Sequence, residues 1–256
     1  MPKKPTGYVI YDGVSALDSK TDILAIALVG KSNNGKTGAM LQTFILVKDT
    51  DPITANRRGE DFAICGECPL KGIPNFKKNK GTADKRPCYV TLAHAPLNVY
   101  KSYKKGNYPT IQGHDTIAEL GEDREVRLGT YGDPSAVPSY VWDSLLSKST
   151  GRTGYTHQHN VQGANVRPDL CMISADTKEQ AEYHWSLGNR TFRVGKTLQD
   201  MVKGKEILCP ASEEAGRRTT CKQCKLCSGN TIKAKSIFIP AHGTGKSNYL
   251  ATLARK

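Results

Sequence analysis

Between residues 125 and 240, short runs of β-forming residues alternate with stretches of helical pattern, and this alternation restricts the fold more than any other feature of the chain. The runs are "EVRLG" (125 to 129), "GYTH" (154 to 157), "LCMIS" (170 to 174), "TFRV" (191 to 194), "EILC" (206 to 209) and "SIFIP" (236 to 240). "PSYVWDSLLSKS" and "TKEQAEYHWSLG" read as helices between them, punctuated by Pro138 near one start and Gly188 at one end. Strand, helix and strand in succession predict parallel pairing with crossover helices. The expected fold class is therefore α/β, with a parallel sheet or a partial (β/α) barrel.

Apolar alternation at Tyr8 and Ile10 and the runs at 23–29 and 40–47 predict an N-terminal β-hairpin region over residues 1–60. A basic, cysteine-bearing segment follows over 61–124, with "APLNVYKSYKKG" as a short helix. The α/β core spans 125–256 and is interrupted by a four-cysteine zinc knuckle at 209–229, all within one compact domain. "VGKSNNGKTG" has P-loop spacing, but a P-loop needs a helix starting at its Lys-Thr. Here Gly38 and "AMLQTFILV" follow, so the stretch reads as a hairpin loop. "GTGKS" at 243–247 has Pro240 where the first P-loop glycine belongs, and too little chain follows it for a nucleotide fold.

The net charge of +13 is unevenly placed. Nine Lys or Arg stand against one acid between residues 71 and 105, and eleven against three between 203 and 256. Such clustering points to a polyanion, nucleic acid first. The expected contacts are Lys77, Lys78, Lys80, Lys85, Arg86, Lys101, Lys104, Lys105, Arg217, Arg218, Lys222 and Lys225, with Tyr89, Tyr100, Tyr103 and Tyr108 available for stacking. No run approaches the roughly 20 apolar residues of a membrane helix, so no membrane partner is expected.

Several predicted strands finish in residues able to do chemistry: Asp133, His157 and His159, Asp176, and His242. In parallel α/β sheets, catalytic groups collect at the carboxyl ends of strands, and these five are the catalytic candidates. Asp176 also reads as a helix cap and Asp133 as a turn residue before Pro134. "HQH" resembles the metal site of rolling-circle endonucleases, which would nominate Tyr183 as nucleophile. That family places a hydrophobic residue between its histidines, and here it is Gln158.

Cys209, Cys221, Cys224 and Cys227 form Cys-x11-Cys-x2-Cys-x2-Cys. Four thiolates at this spacing suit tetrahedral zinc, with an iron-sulfur cluster as competitor. Arg217, Arg218, Lys222 and Lys225 flank them to offset thiolate charge. Cys65, Cys68 and Cys88 supply three ligands of a second site, its fourth being Cys171, a histidine such as His94, or an exogenous group. Cys171, inside an apolar run, also reads as a buried small hydrophobe. Zinc is the expected cofactor, and a [4Fe-4S] cluster is its alternative at the second site. Reduced thiols imply a cytoplasmic setting.

"KTGAMLQTFIL", "ICGECPLKG", "PCYV", "RLGTYGDPSAVP", "GYTHQH", "CMISADT", "RTFRV", "CPASEEAGRRTTCKQCKLCSG" and "IPAHG", in this order, resemble a family of small cysteine-rich proteins encoded in bacteriophage and prophage genomes. The resemblance runs from about Lys36 to Gly243 and implies a phage protein acting in the host cytoplasm. It transfers no catalytic residue. A more distant likeness is to radical-SAM enzymes, with their partial (β/α) barrel and open-site cluster, but their Cys-x3-Cys-x2-Cys loop is absent. The expected function is binding of nucleic acid by a metal protein, in phage replication or takeover of host nucleic-acid processing. Its alternatives are an iron-sulfur, radical-SAM-like enzyme with a strand-end site, and an antagonist of a host protein with structural metals only.

Overall fold

The computed structural model describes residues 4–30, 32, 35–159, 164–242 and 245–253. Among them ten strands form two five-stranded sheets with helices interleaved, so the molecule is of the α/β class. β1 (Gly7–Val14), β2 (Asp22–Leu28) and β3 (Leu41–Val47) pair antiparallel in that order. Leu28 lies opposite Gln42, so β2 and β3 form a hairpin, and the described residues 35–40 lead directly into a strand. No helix begins at Lys36-Thr37, and the P-loop reading falls on that ground; Asn33 and Asn34 of the loop lie outside the described residues.

The sheet continues in parallel with β4 (Glu125–Tyr131) and β5 (Gly151–Thr153). The basic cysteine segment is thus part of the crossover from β3 to β4; that crossover carries α1 (Pro52–Arg58), which falls within the region expected to be β-hairpin, and then α2 (Phe62–Cys65), α3 (Ala95–Lys104) and α4 (His114–Gly121). α1 has the full set of terminal signals. The Asp51 carboxylate accepts from the Ile53 and Thr54 amides, Pro52 opens the first turn, and Gly59 closes it at φ +73°. α5 (Ser139–Leu146) crosses from β4 to β5 and buries Trp142, whose indole N–H donates to the Pro134 carbonyl at 2.9 Å.

After β5 the chain passes through Gly154 into β6 (Tyr155–Thr156), the first strand of the second sheet. That sheet is parallel throughout, in the order β6-β7-β8-β10-β9, with β7 (Met172–Ala175), β8 (Thr191–Gly195), β9 (Glu206–Leu208) and β10 (Ser236–Pro240). Gly154 joins the two sheets because nothing larger fits: a Cβ there would lie 2.8 Å from the Cys171 sulfur. α6 (Lys178–Ser186) connects β7 to β8. Between β9 and β10 the crossover is the cysteine knuckle itself, containing the single-turn α7 (Cys221–Cys224). β10 is followed by α8 (Lys246–Leu253), which begins at the Lys-Ser of "GTGKS"; Gly243 and Thr244 lie outside the described residues. Among the described residues no helix is long and apolar enough to cross a membrane.

On α6, His184 is buried edge-on against His159, ring centroids 4.7 Å apart, and neither of its ring nitrogens has a partner among the described residues. Burial, then the neighbouring His159, holds its pKa below the ordinary histidine value. Below pH 6.5 the unfolded chain therefore binds protons that the folded chain does not, and stability falls as pH falls. In urea unfolding between pH 7.5 and 5.5, His184→Leu should gain stability relative to the wild type as pH falls. Equal slopes in the two proteins would remove His184 as the cause.

Candidate active site

Side chains alternate along a strand, so residues two apart share a face. Arg127, Gly129 and Tyr131 on β4, Thr153, Tyr155 and His157 through β5 and β6, Ser174 and Asp176 on and after β7, Phe192 and Val194 on β8, and Ile237 and Ile239 on β10 line one cavity of about 470 Å³. Both sheets therefore face a common interior. Cys65, Cys68 and Cys88 stand on its wall, and Cys209, Cys221, Cys224 and Cys227 line it as well.

At the first wall, His157 follows the end of β6. Its ring lines the cavity with Cys68, and its Nε2 lies 3.5 Å from the Asp176 carboxylate. Burial opposes protonation of this imidazole, yet Cys68 and Asp176 together hold its pKa well above the ordinary value. Thr177, not Asp176, caps α6, its hydroxyl accepting from the Gln180 amide. Asp133 performs the turn role expected of it, accepting from the Ser135 amide at 3.0 Å. Its other oxygen accepts from the His157 amide at 2.8 Å and the Gln158 side chain at 2.9 Å.

Gln158, which distinguishes this chain from the rolling-circle pattern, is fully buried and holds the cysteine loop against the strand ends. Its Nε2 also donates to the Cys65 carbonyl at 2.8 Å, and its Oε1 accepts from the Glu67 amide at 3.1 Å. Cys88 is tied to the same loop by its amide, which donates to the Leu70 carbonyl. Arg86 is committed to this region, donating to the carbonyls of Cys88 and Val90. Burial pushes the Cys65 and Cys88 thiols up, so in the absence of a cation they stay protonated. Among the described residues no group of three or more His, Cys, Asp or Glu side chains is already set to hold a metal ion.

Two further side chains on this wall were not visible as site residues in the sequence. Asp61 Oδ1 and the Tyr131 hydroxyl are buried, line the cavity, and have no hydrogen-bond partner among the described residues. Buried polar groups are nearly always paired, and these two are placed to bond whatever water or ligand occupies the cavity. Burial pushes the Asp61 carboxyl up to about 6, against the opposing effects of the Asn56 side chain, Lys71 and Arg86. His242 lines the same cavity and pairs with Glu214 at 3.2 Å, and His94 lines it from the start of α3. His159 packs on α6 as described above. Cys171 is buried beside Gly154 and Leu128.

The knuckle is fastened to the fold at three places. The Cys221 and Lys222 amides donate to the Lys36 and Thr37 carbonyls, so the glycine-rich hairpin loop caps α7. The Gly154 amide donates to the Cys227 carbonyl. Arg190, also unforeseen, donates four bonds of 2.8 Å to the carbonyls of Leu226, Gly229, Ala234 and Lys235. Backbone amides two residues on reach two of the sulfurs: Ala211 donates to Cys209, and Leu226, inside the Cys224-x2-Cys227 gap, donates to Cys224. Cys209, Cys221 and Cys227 pack with Met40, Met172, Ile237 and Ile239.

The basic residues divide into two kinds. Lys222 and Lys225 pair with Glu125 at 3.5 and 3.4 Å, Arg217 pairs with Glu213, and Arg218 donates to the Ala215 carbonyl. Lys104 pairs with Asp49 at 3.4 Å and lies over the Tyr100 and Tyr103 rings, while Lys101 and Lys105 on and beside α3 are exposed. Around residue 76 the loop is pinned by the Ile73 and Asp84 backbones and exposes Lys77, Lys78, Lys80 and Lys85, with Lys78 bonded to Asp84. Phe76 in that loop is 78% exposed and Tyr89 beyond it 64%.

The chain matches no described protein family, no curated protein and no solved structure.

Proposed function

We propose that the protein is a metal-dependent enzyme whose reaction takes place in the shared cavity. The observation that carries this reading is the convergence on one wall of Cys65, Cys68 and Cys88 with His157, Asp176 and the unpaired oxygens of Asp61 and Tyr131. Three soft thiolates are a donor set for zinc or an iron-sulfur cluster. Asp61, its carboxyl held near neutrality, is suited to move a proton at Oδ1, and Tyr131 to orient a polar substrate atom. The Cys209 to Cys227 set holds a structural zinc. In this reading the protein belongs to a bacteriophage and works in the host cytoplasm, where its thiols stay reduced.

Metal and acid-labile sulfide analysis of anaerobically purified protein tests the proposal. A Cys65→Ala/Cys68→Ala variant should lose either zinc or iron with sulfide while keeping the knuckle metal. Identical metal content in both proteins would refute it.

A second reading, binding of nucleic acid, is favoured by the exposure of Phe76 among Lys77, Lys78, Lys80 and Lys85. Aromatic faces among phosphate-seeking cations suit single strands. Lys77→Ala/Lys80→Ala should reduce the salt slope of oligonucleotide binding by about 1 per lysine, and Phe76→Ala should weaken binding by about 1–3 kcal/mol. Binding that ignores salt would rule this reading out.

A further inference from the structure

We infer that His157 is the fourth ligand of the Cys65, Cys68 and Cys88 site, held in position by Asp176. This inference rests on the proposed metal site and names its missing donor.

The geometry selects His157 among the candidates. It lines the cavity with Cys65, Cys68 and Cys88, and the residue after it is hydrogen-bonded to the loop that carries Cys65 and Cys68, whereas the Cys171 sulfur is buried beside Gly154 and His94 is exposed at the start of α3. A ligating imidazole commonly turns its second nitrogen to a carboxylate, which sets its orientation and raises its basicity. Here Nε2 faces Asp176 at 3.5 Å, leaving Nδ1 for the ion.

The backbone is arranged to the same end. Asp133 receives the His157 amide, and Gln158, the next residue, bonds the Cys65 carbonyl and the Glu67 amide on either side of Gly66. The strand end bearing the imidazole and the loop bearing two thiols are therefore joined by direct hydrogen bonds. An ion bound between them draws together groups that the fold already holds as neighbours. Three thiolates and one neutral imidazole form a complete tetrahedral set for zinc.

The test is metal content and resistance to chelator in purified, folded variants, with Cys65→Ser/Cys68→Ser as the reference for loss of this site. His157→Ala should lose the same metal equivalent as the cysteine pair, and His157→Cys, which supplies a fourth thiolate, should keep it. Asp176→Asn should keep the metal but bind it roughly 10- to 100-fold more weakly. His94→Ala and Cys171→Ser should match the wild type. If His157→Ala retains the metal and its chelator resistance while the cysteine pair loses it, the assignment is overturned and the metal site stands. If the cysteine pair loses nothing, the metal site itself is refuted. Should His157→Ala fail to fold, His157→Cys still decides the matter, because a folded His157→Cys that has lost the metal also overturns the assignment.

Discussion

Replacing Gly66 by alanine is expected to destabilise the protein by about 3–5 kcal/mol and to release the cysteine loop from the cavity wall. Gly66 closes α2 at φ +50°, a region that side chains disfavour, and a Cβ there would lie 1.9 Å from the Gln158 Oε1. The clash cannot be relieved by a small rotation, because Gln158 is fully buried and bonded to Asp133, Cys65 and Glu67. It must leave, and these bonds go with it. Gln158→Ala removes the obstacle but not the backbone strain, so the double variant should be less stable than Gln158→Ala alone by only about 1–3 kcal/mol. Additive losses in urea unfolding would show that Gly66 is required for some other reason.

Arg190→Ala should lower stability by at least about 4 kcal/mol. For a chain of this length that corresponds to a fall in Tm of roughly 8–16 °C. The side chain is nearly buried, and its four bonds all go to carbonyls of the knuckle crossover. Truncation leaves those carbonyls without their charged donor. Lysine is a poor replacement, since one ammonium cannot reproduce the planar fork of donors, and Arg190→Lys should recover less than half of the loss. The cysteines of the knuckle should also become more reactive to thiol reagents in Arg190→Ala. A Tm within about 2 °C of wild type would mean that the knuckle is held by its packing against Met40, Met172 and Ile237 and not by Arg190.

The parallel half of the fold was legible because its strands are short, apolar and separated by recognisable helices, from Glu125 to Pro240. The hairpin loop around Lys36 was legible for the same reason, a β-run following where a helix would have been needed. α1 was not, although Asp51, Pro52 and Gly59 are good terminal signals, because "KDTDP" reads equally well as a turn. β5 was hidden by its length, three residues joined to β6 through Gly154. At the site, period-two patterning exposed Asp133, His157 and Asp176 as strand-end residues. Choosing between Asp176 and Thr177 as the cap required coordinates, since either side chain can reach an amide. Asp61, Tyr131, Gln158 and Arg190 carry no local pattern. The roles of Gln158 and Arg190 come from partners 25 to 93 residues away in sequence, and those of Asp61 and Tyr131 from a buried oxygen, Oδ1 and the hydroxyl, with no partner among the described residues.

The central claim is that a metal sits on the cavity wall among Cys65, Cys68 and Cys88. It is tested most directly by anomalous diffraction at the zinc and iron edges from crystals of anaerobically purified protein. The account predicts a peak at that wall about 2.3 Å from the three sulfurs, separate from the peak in the knuckle. A knuckle peak with none at the cavity wall, in crystals where the three thiols are ordered, would contradict it.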